Sequence, residues 1–153
     1  MHHKKSLLLI LLAVVVLVLV VFWISLRNTQ LTNIQNSVHI GQATEAPKGQ
    51  LVSGFPQNLK LVSDASVTDS FAIPYQNFNQ YSAVFKSSAT ISVVYSQYLN
   101  YLSTNGYTIL NKGEDKKSAH IYGTKTGSDV NVTISSVNGE TQINVVYLNK
   151  STQ

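Results

Sequence analysis

Residues Leu7 to Ile24 are eighteen consecutive apolar positions, with no charge, proline, glycine or polar side chain among them. A run of that length is the default signature of a transmembrane helix. At about 1.5 Å rise per residue, about 20 residues span about 30 Å, the thickness of a bilayer's hydrocarbon core. Valine is a middling helix former in water, but in lipid every backbone N–H and C=O needs a partner inside the segment, and a helix supplies one. Phe22 and Trp23 stand near one end of the run, where aromatic rings favour the headgroup region. The expectation is a membrane anchor lying in the lipid bilayer through residues 7–26. A cleaved signal peptide would have an apolar region of about 7–15 residues followed by a small-x-small triplet. Here the run continues into Trp23-Ile24-Ser25-Leu26-Arg27-Asn28 with no such triplet, and the absence of cysteine excludes a lipoprotein anchor.

The flanking charges set the orientation. Lys4 and Lys5 precede the run, and Arg27 follows it. Basic residues stay on the cytoplasmic side, so a single-pass protein of the cell membrane is expected, N-terminus inside and residues 28–153 outside. His2 and His3 read as a polar start, since two adjacent histidines on a chain end fix no metal geometry. The sequence pI of about 9.3 belongs to this topology. Setting aside Lys4, Lys5 and Arg27, eight basic residues face seven acidic ones, a balance of +1. Such a part has no electrostatic footprint for a phosphate backbone, so nucleic acid is not an expected partner. An exported domain without disulfides points to a bacterial or archaeal envelope over a eukaryotic secretory surface. N-x-S/T sequons occur at Asn131 and Asn149 and matter only in a glycosylating host.

The layout follows: 1–27 as cytoplasmic start and anchor, 28–54 as a polar tether, 55–149 as a folded domain and 150–153 as a tail. Leu31, Ile34 and Val38 fall at helical spacing, so the anchor helix runs on to about Ser37 or the three stand in a plain linker. In the domain, Ala65–Phe71 reads as a first strand with Val67 and Phe71 on one face, ended by Pro74. Residues 75–80 read as a loop, and Tyr81–Lys86 as a second strand alternating Tyr81, Ala83 and Phe85 against Ser82, Val84 and Lys86. Ile91, Val94, Tyr95, Tyr98, Leu99 and Leu102 recur on one helical face. Ser88 or Thr90 suits the N-cap and Asn105-Gly106 the stop. Strands from Tyr107, 118–125, 129–136 and 141–148 then make a meander, with the type I′ signal Asn138-Gly139 before the last. The fold class expected is α+β: an N-terminal transmembrane helix plus a two-layer domain, mostly antiparallel sheet in the order β-β-α-β-β-β-β with one packed helix.

Phe55-Pro56-x-x-Leu59, Tyr95-x-x-Tyr98-Leu99 followed after six intervening residues by Gly106-Tyr107, and Asn138-Gly139 together resemble small bacterial extracytoplasmic domains carried on a single membrane anchor. The resemblance covers about residues 55–148. It implies a fold and a location and carries no catalytic residue across.

Chemistry-bearing patterns are sparse. The outer part holds His39 and His120, and no acidic residue stands two or four positions from His120. No thiolate exists, and neither G-x-G-x-x-G nor G-K-S/T occurs, so no metal or cofactor is expected. Serine is abundant without a G-x-S-x-G elbow. Glu114-Asp115, the adjacent carboxylates, run straight into Lys116-Lys117 and read as a solvated charged turn rather than an acid/base pair. Tyrosine is the over-used type, eight residues. Tyr75, Asn77 and Phe78 in an amide-rich loop, with Tyr101 off the helix's apolar face and exposed, form the candidate ligand or partner surface. Flat rings beside amide donors suit a peptide or glycan. The leading expectation is a non-enzymatic extracytoplasmic domain acting by binding or structural interaction with an envelope protein, peptide or glycan. A pilin-like filament subunit and a small envelope hydrolase are the competing ones.

Overall fold

The computed structural model describes residues 41–150. The anchor at 7–26, the stretch 28–40 and the tail 151–153 lie outside the described residues. Among those described, no helix is long and apolar enough to cross a membrane.

Seven strands form one sheet: β1 (Thr44–Glu45), β2 (Ser66–Pro74), β3 (Phe78–Ser87), β4 (Thr108–Glu114), β5 (Ser118–Lys125), β6 (Ser128–Val137) and β7 (Glu140–Lys150). The single α-helix among the described residues, α1 (Ile91–Thr104), joins β3 to β4, and a short 3-10 turn spans Gln57–Leu59. The order across the sheet is β1-β2-β3-β7-β6-β5-β4, and every ladder is antiparallel. The domain is therefore a small α+β fold, as expected, with one strand more than the sequence pattern shows.

Period-2 alternation decides which face is buried. Phe85, Ile143, Ile134 and Ala119 stand side by side across β3, β7, β6 and β5, and the next row is Ala83, Val145, Val132 and Ile121. All eight are at most 2% exposed. The opposite face carries Asn144, Thr133 and His120 in one row, all exposed. The Asn138-Gly139 turn sits at φ 53° and 83°, the left-handed pair that a type I′ hairpin requires.

Two covers lie on the buried face. Helix α1 lies against β4, β5 and β6, burying Val94, Tyr98 and Leu102. Thr90 is its N-cap, its hydroxyl accepting from Val93 N–H at 3.4 Å. The helix stops where Gly106 takes φ 79°, and Tyr107 N–H returns to the Leu102 carbonyl at 3.1 Å.

The second cover is a correction to the sequence reading. Residues 41–54, expected as tether, belong to the fold. Gly41 N–H donates to Pro74 C=O at 2.8 Å, Thr44 and Glu45 pair with Ala72 and Phe71, and Val52 is 4% exposed. From there to Ala65 the chain is a string of tight turns: Phe55 N–H bonds Val52 C=O, Leu59 N–H bonds Pro56 C=O, and Ala65 N–H bonds Val62 C=O. Along these three turns five apolar residues enter the core, in sequence Val52, Phe55, Leu59, Val62 and Ala65. Phe55 meets Phe85 edge to face at 6.2 Å. Tyr98 binds the two covers together, its hydroxyl donating to the buried Leu59 carbonyl at 2.7 Å.

A second correction concerns β2. The register slips between Val67 and Asp69, so Thr68 is an extra residue, a bulge that flips everything after it. Its hydroxyl bonds the Val84 carbonyl at 3.0 Å. Val67 stands opposite the buried Phe85, whereas Phe71 stands opposite Ser82 on the other face. The two do not share a face. The predicted loop 75–80 is also shorter, because Phe78, Asn79 and Gln80 already pair in β3.

Candidate functional site

The register gives the sheet two distinct ends. At one, Pro74 pairs with Asn79, Asn79 with Asn149, and Asn149 with Ser128. The chain joins the sheet here, through Gly41 on Pro74. At the other end, Ser66, Lys86, Gln142, Ser135 and Ser118 stand in a row.

The first end carries three of the four residues singled out from sequence. Tyr75 and Phe78 close the β2–β3 hairpin, Tyr75 N–H donating to Phe78 C=O at 2.9 Å. Their rings stack at 4.4 Å and 18°. Asn77 lies between them, exposed at the tip. Tyr101 is not part of this stacked pair. It is half-buried on α1, not exposed as expected, because its side chain packs against the hydrophobic core. Burial pushes its phenol above the ordinary range, with the phenols of Tyr107 and Tyr147 adding to the rise. Tyr107 in turn meets Ser128 at 3.3 Å and lies 4.3 Å beneath the Lys125 ammonium.

The far end holds a groove of about 640 Å³, which sequence reasoning missed. It runs between the start of α1 (Ser88, Thr90, Ser92), the β4–β5 turn (Glu114, Lys116) and the β6–β7 turn (Ser136, Gly139). Three segments far apart in sequence build it, so no local motif announces it.

The carboxylates around these ends serve the fold. Asp64 accepts from Ser88 Oγ at 2.6 Å, Ser87 Oγ at 2.7 Å and Ser88 N–H at 2.9 Å. These bonds, led by that from the Ser88 hydroxyl, lower its pKa to about 2. Asp115 accepts from the backbone N–H groups of Lys117 and Ser118 at 2.7 and 2.8 Å, which hold it below the usual carboxylate range. That is a turn-forming aspartate. Asp129, its side chain 8% exposed, is paired with Lys150 at 2.7 Å and accepts from Thr124 at 2.6 Å. Burial pushes it up, but Lys150 and Thr124 outweigh that and hold it low. His120 sits on the exposed face with Nε2 3.2 Å from Asn111 Oδ1. Among the described residues no three His, Cys, Asp or Glu side chains converge as a metal set would. No family model, no curated protein and no solved structure matches the chain.

Proposed function

We propose that the chain is a membrane-anchored extracytoplasmic domain that acts by binding or by structural interaction at a bacterial envelope. The observation that carries this reading is the unbroken apolar run Leu7–Ile24 with Lys4 and Lys5 before it. The described domain supports it in two ways. Its low-pKa carboxylates are each held by the Ser87-Ser88 pair, a turn or an ion pair. Its groove lies at the end of the sheet opposite Gly41 and Pro74 and is lined by hydroxyl and charged side chains that suit a peptide, glycan or protein segment.

The test is protease shaving of intact cells followed by membrane fractionation under alkaline wash. The reading expects the 41–150 domain to be cut from outside, and the uncut full-length chain to stay with the membrane until detergent is added. A full-length chain recovered in the aqueous fraction without detergent, or a domain cut only after the cells are opened, overturns it.

A further inference from the structure

The β2–β3 hairpin has a composition that the binding role does not use. From Ser70 to Phe85 there are sixteen residues without a charge, and Phe71, Tyr75, Phe78, Tyr81 and Phe85 fall among them. At its tip Tyr75 and Phe78, both half-buried, stack as one block at 4.4 Å beside the exposed Gln76 and Asn77. Each ring spends one face on the other, so the pair is a compact wedge and not the side-by-side platform on which a sugar lies flat. The tip stands where the chain joins the domain, since Gly41 N–H is bonded to the carbonyl of Pro74, the residue before Tyr75. Thirteen residues, 28–40, separate Gly41 from Arg27. Extended, they reach about 45 Å; as a helix, about 20 Å. Either length leaves the tip within reach of a bilayer holding residues 7–26.

The charge around the tip fits the same surface. Tyr75, Gln76 and Asn77 of this hairpin, Thr126 and Gly127 of the β5–β6 turn, and Asn105 and Gly106 after α1 contain no carboxylate. The nearby Asp129 is paired with Lys150. The opposite end carries Glu114, Asp115 and Glu140. Aromatic rings in an amide-rich surround whose one nearby carboxylate is neutralised by Lys150 suit the headgroup layer of a bilayer, where one side of a ring meets acyl chain and the other water.

We propose that the Tyr75–Phe78 wedge seats in the outer headgroup layer of the membrane that anchors the chain, holding the domain on the bilayer with its groove turned away. This rests on the anchored reading, and the test separates the two. Because the chain has no cysteine, Asn77→Cys and, at the far end, Asn138→Cys each give a single attachment point for a spin label. The full chain is reconstituted in vesicles of phosphatidylethanolamine and phosphatidylglycerol, floated on a density gradient, and the label's collisions with oxygen and with a water-soluble nickel chelate are compared. The expected result is flotation, a shift toward oxygen and away from nickel at position 77, no such shift at 138, and loss of the shift in a Tyr75→Ser/Phe78→Ser background whose circular dichroism is unchanged. A chain that floats while both labels are equally open to nickel overturns the docking and leaves the anchor standing. A shift that survives the double serine variant also overturns it. So does shielding at 77 that appears only when envelope glycan fragments are added, which gives the tip to a sugar. A chain that does not float overturns the anchor and the docking together.

Discussion

Tyr98 is the residue on which the two covers of the sheet depend, and Tyr98→Phe isolates what its hydroxyl does. The side chain is 1% exposed, and so is Leu59, whose carbonyl accepts the phenol at 2.7 Å. The ring's own burial survives the change. What is lost is one neutral hydrogen bond, and what remains is a carbonyl with no water in reach. Leaving a buried acceptor unpaired costs about 1–3 kcal/mol, whereas the net worth of an ordinary bond is about 1 kcal/mol. The hydroxyl's departure removes one heavy atom, so the cavity adds less than the loss of a methylene, about 1 kcal/mol. The expected destabilisation is therefore about 2 kcal/mol. At about 4 °C per kcal/mol for a domain near 100 residues, the thermal midpoint falls by about 8 °C. The assay is thermal unfolding of the full chain in detergent, followed by the β-sheet circular-dichroism signal, with Tyr95→Phe as the control. Tyr95, on the same helix, is only half-buried, and its change is expected to move the midpoint little. If Tyr98→Phe melts within a degree or two of the parent, the tie between helix and turns is mere filling of space, and the account of the second cover fails.

Other outcomes follow from the same structure. Asp64, Asp115 and Asp129 all have folded pKa values below the ordinary 3.8, so the unfolded chain binds more protons than the folded one at acid pH. Their stabilisation is whole above about pH 4 and is lost progressively toward about pH 2, where Asp64 itself titrates; Asp64→Asn is expected to flatten that loss in an acid-unfolding series. Gly54→Ala is expected to destabilise more than Gly49→Ala: both sit at positive φ, but a Cβ on Gly54 would lie 2.5 Å from the Tyr81 ring, while one on Gly49 meets nothing within 4 Å. Parallel urea titrations read the difference, with about 1 kcal/mol expected at Gly49 from the left-handed backbone alone. Lys150→Met, which strands the largely buried Asp129, is expected to cost about 1 kcal/mol, limited because the lysine is half exposed. Adding Asp129→Asn in a double-mutant cycle recovers part of it, and strict additivity would refute the coupling.

What could be read from sequence was whatever repeats on a regular period. The helix face from Ile91 to Leu102, the alternation of Tyr81, Ala83 and Phe85, and the Asn138-Gly139 turn are local patterns that the packing did not override. The parts that escaped were those whose meaning depends on a partner elsewhere. Thr44 and Glu45 pair as a strand only because β2 offers an open edge, and two residues carry no period. Val52, Phe55, Leu59, Val62 and Ala65 recur every three or four positions, as a helix would. Yet Gly54 at φ 91° and Pro56 break that path into single turns. The bulge at Thr68 leaves no mark in composition, and it sends Phe71 to the opposite face from Val67. Of the site residues, Tyr75, Asn77 and Phe78 could be grouped because they are neighbours in the chain. Tyr101 was separated from them by the position of α1, and the groove needed three remote segments to exist at all.

The manner in which Gly41 and β1 meet β2 has a mechanical consequence. The strand runs from the end of the sheet where the chain joins toward the end that carries the groove. A tug between the preceding residues and anything gripped in the groove would thus act along the strand axis. The bonds from Gly41 to Pro74, across Thr44 and Glu45, and from Ala46 to Ser70 would be strained in shear, all together, and not peeled one after another. Loaded in that direction, the short strand can part from β2 only when these bonds give way together.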